Sequence, residues 1–152
     1  MKQKIKSCLL GMGLLAAAGL AYGAERFSYS SDGSEVTDNT TGLVWRRCAE
    51  GMSWSEGTCN GDATLYTQEA ALQLGINGWR LPNIKELASI VDLSKVNPAI
   101  DPSSFPNTPT STDFWSSSPN VRDSRNAWFV GFDYGYVYYY GRFNSGYVRL
   151  VR

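Results

Sequence analysis

The sequence contains no histidine, and this absence excludes more than any single residue that is present. Without histidine there is no Ser-His-Asp or Cys-His catalytic group and no His-ligated metal site. An excess of positive charge is lacking as well, because 14 Lys and Arg residues balance 14 Asp and Glu residues. This balance argues against a nucleic-acid partner, since phosphate binding requires clustered basic side chains. We therefore expect no metal, no cofactor and no nucleic-acid partner.

Long apolar runs are lacking except at the N-terminus. Lys2, Lys4 and Lys6 precede an apolar run over residues 8–21, which ends in small residues. This pattern predicts a signal peptide over residues 1–24, and the Gly-rich run is too short to favour the alternative, a retained membrane anchor. Export to the periplasm, the cell surface or the medium would leave a single domain, residues 25–152, with 11 basic and 14 acidic residues and a net charge of −3.

Cysteine is scarce, and removal of the leader would take Cys8 with it. The remaining pair, Cys48 and Cys59, predicts one disulfide in an exported chain. A redox or metal-binding pair is the alternative, but the spacing is far from C-x-x-C. We expect a structural bridge that closes a 12-residue loop.

The hydrophobic and turn-forming patterns predict an α+β domain with two short helices before a strand-rich second half. Thr67 is the expected cap of a first helix over 68–74. Asn83 and Glu86 have capping-box spacing for a second, whose apolar face includes Leu87. The remaining predicted elements are a hairpin of 35–37 with 43–45, a loop over 50–62, a long proline-rich loop over 94–112, and strands at 114–118, 127–133, 136–143 and 147–152.

Aromatic residues are concentrated near the C-terminus, where they make up ten of the 20 residues from 128 to 147. Strand alternation would point Trp128 and Phe132 into the core and Phe129 outward. Tyr138, Tyr139 and Tyr140 are consecutive and cannot share one face, so some of these phenols must reach solvent. Aromatic-rich β-structure is the alternative interpretation, although a core would favour aliphatic residues over phenols that need hydrogen-bond partners.

Tyrosine mixed with Gly, Ser and Asn is also the composition of antibody binding surfaces. We therefore predict a ligand-binding patch and no catalytic residues. The predicted scaffold residues are Trp79, Arg80, Trp115, Trp128 and Phe132, and for Arg80 burial against loop carbonyls is the expected role, with ligand contact the alternative.

Six segments in order along the chain resemble the Lcl C-terminal domain family, also called domain of unknown function 1566. They are TGLVWRRC (41–48), GWRLPNIKELASIVD (78–92), FPNTPT (105–110), FWSSSP (114–119), AWFVGF (127–132) and YVRLVR (147–152). The resemblance implies a C-type-lectin-like fold, with paired terminal strands, two short helices packed on antiparallel strands, and a loop-rich binding half.

Some members of this family resemble the variable proteins of diversity-generating retroelements, in which reverse transcription rewrites the adenines of AAY codons. A template of that kind would vary positions 129, 131, 133, 134, 136, 138–141 and 143–146. The residue at each of these positions is reachable from AAY by changing only the first two bases. The resemblance thus implies a diversified binding surface. The ligand-binding residues predicted on this basis are Phe129, Gly131, Asp133, Tyr134, Tyr136, Tyr138, Tyr139, Tyr140, Phe143, Asn144 and Ser145.

The resemblance leaves other functions open. Relatives with collagen-like regions resemble adhesins that bind sulfated polysaccharides, although this chain has no Gly-X-Y repeat and a net charge of −3 disfavours a polyanion. A calcium-dependent lectin would need oxygen ligands such as Asp92, Asp101, Asp113, Asp123 and Asp133, but the EPN, QPD and WND triplets are absent. The implied fold is shared distantly with formylglycine-generating enzymes. A shared fold alone does not establish a shared activity, so it does not predict an enzyme here. We expect a secreted or surface-displayed module that binds a protein or cell-surface ligand.

Overall fold

The computed structural model describes residues 25–152, so the predicted signal peptide lies outside the described residues. Within this range, two short helices accompany strands in three antiparallel sheets, as the α+β prediction requires. None of the described helices is long and apolar enough to cross a membrane. The strands are β1 (Phe27–Tyr29), β2 (Glu35–Asp38), β3 (Leu43–Arg46), β4 (Ser53–Ser55), β5 (Thr58–Asn60), β6 (Phe114–Pro119), β7 (Asn126–Gly131) and β8 (Tyr136–Gly141), and the helices are α1 (Gln68–Leu72) and α2 (Ile84–Ser89).

The first sheet has the strand order β1-β2-β3 and contains the predicted hairpin. Val36 lies opposite Trp45 in the register of β2 and β3, and both side chains are fully buried. The turn is closed by Asp38, whose carbonyl accepts hydrogen bonds from the backbone N–H groups of Thr41 and Gly42. Cross-strand burial and a turn of polar residues thus fix this hairpin locally.

The region of the disulfide is more regular than its sequence suggests. Cys48 and Cys59 are bonded, as predicted. The prediction of a loop over 50–62 is wrong in its middle, where β4 and β5 pair as a short hairpin. Glu56 and Gly57, both with positive φ, form its two-residue turn, and a glutamate is an unusual residue for that conformation. The residues of this turn therefore do not predict a hairpin from the sequence.

Both helices begin at the predicted caps. The Thr67 side chain accepts a hydrogen bond from the Ala70 N–H, and Asn83 and Glu86 form the reciprocal capping box. Each helix is shorter than its apolar pattern suggests, because α1 ends at Leu72 and α2 at Ser89. These short helices depend on packing for their stability.

The second large sheet, of order β6-β7-β8, is the part of the fold that positions the aromatic region. The central strand β7 is covered on both faces. Phe114 and Val130 belong to one core cluster, together with Trp45 and Ile100, whereas Trp115 and Phe129 belong to a second. Strand β8 is the outer strand, and its residues from 136 to 140 are all exposed.

The C-terminal segment, residues 147–152, is extended but does not form the regular closing strand that the sequence predicts. It makes isolated bridges to three parts of the chain. Tyr147 pairs with Phe114, and Val151 pairs with both Trp45 and Arg80. The segment therefore joins the first sheet to the second.

The long proline-rich loop predicted over 94–112 contains no helix or strand, as expected. It nevertheless contributes to the core, because Ile100 and Phe105 are fully buried. Ser104 and Asp101 hold its backbone locally through hydrogen bonds between the Asp101 carboxylate and the Ser104 N–H and hydroxyl. The loop therefore packs against the core cluster that contains Trp45, Phe114 and Val130.

Removal of the disulfide should measurably destabilise the fold. Replacing Cys48 and Cys59 with Ala should lower the free energy of unfolding by about 2–3 kcal/mol, because the unfolded chain gains the freedom of an opened loop. Urea unfolding followed by tryptophan fluorescence measures this change. The wild-type protein unfolded under reducing conditions is the matched control and should show the same loss; an unchanged midpoint would contradict the structural role of the bridge.

Candidate functional site

The most prominent surface feature is a set of exposed aromatic rings on the β7–β8 hairpin and the turn that follows it. We call this set the tyrosine patch. It consists of Tyr134, Tyr136, Tyr138, Tyr139, Tyr140 and Phe143, whose exposed fractions range from 36% for Tyr139 to 80% for Phe143. The prediction that some of the phenols of Tyr138, Tyr139 and Tyr140 reach solvent is confirmed. Six exposed aromatic rings on one short stretch of chain are unusual unless the surface contacts a partner.

The predicted facing of two residues in β7 is wrong. Phe129 is only 6% exposed, whereas Trp128, expected in the core, is partly exposed. The reason is that β7 is a central strand with a core cluster on each face, so alternation does not separate an inner face from an outer one. Phe129 packs edge to face against Trp115, with ring centroids 6.2 Å apart. Phe129 therefore supports the patch from below.

Phe129 is the shared support of three patch residues. The register of β7 and β8 places Phe129 opposite Tyr138, with Tyr136 and Tyr140 diagonal to it. The three centroid distances from Phe129 to these tyrosine rings lie between 6.1 and 6.4 Å, all in edge-to-face geometry. Such contacts favour one arrangement of the rings while leaving their outer surfaces in solvent.

Tyr136 is the most constrained ring of the patch. Its ring lies over Gly131, the opposite residue of β7, so that a Cβ added at position 131 would be 2.3 Å from Tyr136 Cζ. Its hydroxyl donates a 2.7 Å hydrogen bond to the Asp113 carboxylate, and this bond raises the pKa of Tyr136. Burial raises the pKa of Asp113, and the bond from Tyr136 offsets part of that rise. Gly131, a predicted ligand-binding residue, is thus buried beneath Tyr136.

Tyr138 and Tyr139 behave differently from Tyr136. Their rings stack on each other with centroids 4.8 Å apart and an interplanar angle of 12°. Adjacent residues of a strand start on opposite faces, so both rings must lean around the free edge of β8 to meet. No hydrogen bond links either hydroxyl to another described residue. Both phenols are therefore free to bond to a ligand.

The other predicted binding residues lie at the two ends of the hairpin. Asp133 is partly buried and its carboxylate accepts a hydrogen bond from the Tyr134 N–H. At the far end, Asn144 donates from its amide to the Gly141 carbonyl, while Ser145 is exposed. These residues extend the surface beyond the patch itself.

The predicted scaffold residues Trp79, Trp115 and Phe132 are buried. Trp79 lies between two guanidinium groups, 4.3 Å from that of Arg46 and 4.6 Å from that of Arg152. These cation–π contacts add to the packing of Trp79 in the second core cluster. The Trp115 indole N–H donates a 3.0 Å hydrogen bond to the Tyr66 carbonyl.

The expected role of Arg80 is wrong. Its side chain is exposed and forms a two-pronged ion pair with Glu86, the capping-box residue of α2, at 2.7 and 2.8 Å. The mutual hydrogen bonds raise the pKa of Arg80 and lower that of Glu86. Arg80 therefore fixes the start of α2 and does not satisfy loop carbonyls.

The arginines that do bind loop carbonyls were missed in the sequence. Arg149 is fully buried and donates to the carbonyls of Arg46 and Arg47 and to the Thr108 hydroxyl. Burial lowers the pKa of its guanidinium. Arg47 similarly donates to the Ser103 carbonyl, at 2.6 Å, and to the Ser104 carbonyl, at 2.8 Å. Each lies in an arginine-containing segment, RR at 46–47 and VRLVR at 148–152, that gives no sign of burial.

Three of the five aspartates considered as calcium ligands are bonded to neighbouring side chains. Asp92 bonds to Lys95 and Ser94, Asp123 to Arg125, and Asp101 to Ser104. Among residues 25–152, no group of three or more His, Cys, Asp or Glu side chains is arranged to hold a metal ion.

Comparison with protein families identifies the family of this chain. The model of the Lcl C-terminal domain matches residues 34–152, which is more than three-quarters of the chain. The protein therefore belongs to the Lcl C-terminal domain family. No curated protein matches the chain.

The Tyr136–Asp113 bond predicts a pH-dependent effect of a single substitution. Tyr136→Phe should cost about 1 kcal/mol of stability at neutral pH, because a partly buried carboxylate loses its donor. The pKa of Asp113 in the folded protein lies above its unfolded value of 3.8. Ionisation of Asp113 therefore lowers the free energy of unfolding as the pH rises above 3.8. The loss caused by Tyr136→Phe should therefore shrink at about pH 3, where the carboxyl is neutral. Urea unfolding at both pH values measures it; a loss independent of pH would contradict the assignment.

The contact between Gly131 and Tyr136 predicts strong coupling between the two positions. Gly131→Ser should destabilise the protein by about 1–3 kcal/mol, because the new side chain displaces the Tyr136 ring. The same substitution in a Tyr136→Ser background should cost much less. A double-mutant cycle of unfolding free energies measures the coupling, and additive effects would show that the ring is not held over Gly131.

Proposed function

We propose that this protein is an exported, non-catalytic binding module whose tyrosine patch holds a protein or cell-surface ligand. The observation that carries the proposal is the exposure of six aromatic rings on one hairpin of a disulfide-bonded domain. The alternative, that these rings are simply part of a core, fails because the buried sites of the same sheet are taken by Trp115, Phe129 and Val130.

The physical properties of the patch suit recognition. Aromatic rings bring large contact areas at a small entropy cost, since few torsions are frozen on binding. Phe129 supports three of the rings from beneath, which reduces that cost further. The hydroxyls of Tyr138 and Tyr139 add polar specificity to an otherwise apolar surface. Affinity would then depend on a few central rings.

Diversification of this surface is part of the proposal, and the structure limits where it is tolerated. Positions 134, 138, 139, 140, 143 and 145 are exposed and accept other side chains without disturbing the core. Position 129 is buried, and a Cβ at position 146 would lie 2.8 Å from Trp115 Nε1. Variation at 131 requires a smaller residue at 136. We therefore expect a retroelement template, where present, to act mainly through the exposed positions.

Binding of a sulfated polysaccharide is the second candidate. Arg125 and Arg142 lie together in a cleft beside Phe143, although Glu69 lines the same cleft. Asp123 already pairs with Arg125, and Gln68 accepts a hydrogen bond from Arg142. Because both arginines already have hydrogen-bond partners, they attract a polyanion only weakly. We therefore favour the protein or cell-surface ligand.

Substitution of the central rings tests the proposal. Replacing Tyr138, Tyr139 and Tyr140 with Thr keeps strand-forming residues in β8 while removing the rings. Fluorescently labelled residues 25–152, added to a panel of intact bacterial and eukaryotic cells, should lose at least tenfold in cell-bound signal. The free energy of unfolding should change by no more than about 1 kcal/mol, since all three side chains are exposed.

The matched control removes exposed apolar side chains elsewhere. Leu65→Ala with Ile76→Ala deletes two such side chains that lie outside the hairpin, and cell binding should be unchanged. Equal loss in this control would indicate non-specific adhesion. A large drop in stability of the threonine variant would show that the tyrosines are structural. A heparin column distinguishes the two candidate ligand classes. Elution of the wild type at low salt would favour the protein or cell-surface ligand, and retention to high salt would favour the polyanion.

A further inference from the structure

A cleft of about 450 Å³ lies on the side of the hairpin opposite Phe129. It is enclosed by the turn between β6 and β7 and by the neighbouring ends of β7 and β8. Its size falls within the range of small-molecule sites. Of the patch residues, only Tyr139 reaches this cleft, so the site is separate from most of the surface described above.

Two aromatic rings form a corner of the cleft. Trp128 and Tyr139 are opposite each other in the register of β7 and β8. Their ring centroids are 5.4 Å apart at an interplanar angle of 79°. Trp128 is only partly buried, although Ala127 before it and Val130 two residues after it are fully buried. The corner thus offers a flat apolar wall that the core does not use.

Polar groups without partners surround this corner. The Asn120 Oδ1 accepts a hydrogen bond from the Arg122 N–H, which leaves its Nδ2 donor unused although the residue is only 6% exposed. The Asn126 side-chain amide and the Trp128 indole N–H also have no hydrogen-bond partner among residues 25–152.

These groups are open to the cleft and not sealed in the protein. In the described part of the chain, the side-chain atoms that are both fully buried and unpartnered are Trp45 Nε1 and Arg149 Nε. The Asn120, Asn126 and Trp128 donors are not among them, so each retains contact with solvent where the cleft opens. The guanidinium of Arg122, in none of the ion pairs within residues 25–152, lines the same cleft.

We propose that this cleft binds one pyranose residue of a glycan. A pyranose ring carries C–H groups on a flat face and hydroxyls around its rim. The Trp128 wall matches the face, and the amides of Asn120 and Asn126 match the hydroxyls as paired donors and acceptors. An apolar side chain of a peptide would cover the ring but leave buried amides unpaired, which is costly. The ligand must therefore be rich in hydroxyls.

Saturation-transfer NMR tests the proposal with defined probes. The probes are the methyl pyranosides of glucose, galactose, mannose, N-acetylglucosamine and glucuronic acid, together with N-acetyl-tyrosinamide as a peptide-like competitor. We expect at least one pyranoside to receive saturation at its ring C–H protons, with a Kd on the order of millimolar for so small a ligand. The peptide-like probe should not displace it.

Two variants assign the binding to the cleft. Asn126→Ala, which leaves the backbone bonds of that residue intact, and Trp128→Phe should each weaken pyranoside binding at least fivefold. Tyr140→Ala, whose ring packs on Phe129 on the opposite face of the same hairpin and does not line the cleft, is the matched control and should bind as the wild type does. Near-ultraviolet circular dichroism confirms that each variant is folded.

The outcomes separate this proposal from the function of the tyrosine patch. No saturation of any pyranoside, or equal binding by the wild type and both cleft variants, would overturn the sugar site. Displacement by N-acetyl-tyrosinamide would also overturn it and assign the cleft to a peptide side chain. Loss of pyranoside binding in Tyr140→Ala but not in Asn126→Ala would place the sugar on the patch instead.

Discussion

The fold depends on the way its last six residues tie two sheets together. The N–H and carbonyl of Arg152 both bond to Val44 in β3, and those of Val151 bond to Arg80. The Tyr147 N–H donates to the carbonyl of Asp113, just before β6, and the Tyr147 carbonyl accepts from the N–H of Trp115 within β6. Arg149 in the middle of this segment is fully buried and takes part in none of the ion pairs among residues 25–152. Its two terminal nitrogens donate to the carbonyls of Arg46 and Arg47 and to the Thr108 hydroxyl, whereas its Nε has no partner. Burying a charge is costly unless it is hydrogen-bonded. This segment therefore selects one arrangement of the two sheets, and the β7–β8 hairpin rests on the result.

A hairpin held in this way can present an outer strand that has little to do with stability. Strand β7 lies between two core clusters, whereas β8 pairs with β7 on one side and meets solvent on the other. The Arg142 N–H donates to the Arg125 carbonyl, so alternation places the backbone groups of residues 137 and 139 on the free edge. Exposed edges invite unwanted pairing. The stacked rings of Tyr138 and Tyr139 lean over this edge and limit access to it.

Features that depend on residues close in the chain were predictable from the sequence, whereas features that depend on tertiary contacts were not. The caps Thr67 and Asn83, the first hairpin and the disulfide follow from residue chemistry within a few positions, and all were predictable. The exposure of the tyrosines followed from their number and their need for hydrogen-bond partners. The burial of Phe129 did not, because it depends on a second core cluster assembled from α1, Trp79 and the C-terminal segment. The buried Arg149 and the exposed Arg80 were likewise set by distant partners that no periodicity reveals.

The central claim is that the tyrosine rings face water while a separate set of side chains holds the fold. Nitration of the native protein by tetranitromethane, with the modified sites mapped by mass spectrometry, tests it most directly. We predict rapid nitration of Tyr134, Tyr138, Tyr139 and Tyr140, slower reaction of Tyr136 because its hydroxyl is bonded and its pKa is raised, and protection of the buried Tyr147. Protection of the four exposed tyrosines to the same extent as Tyr147 would contradict the account.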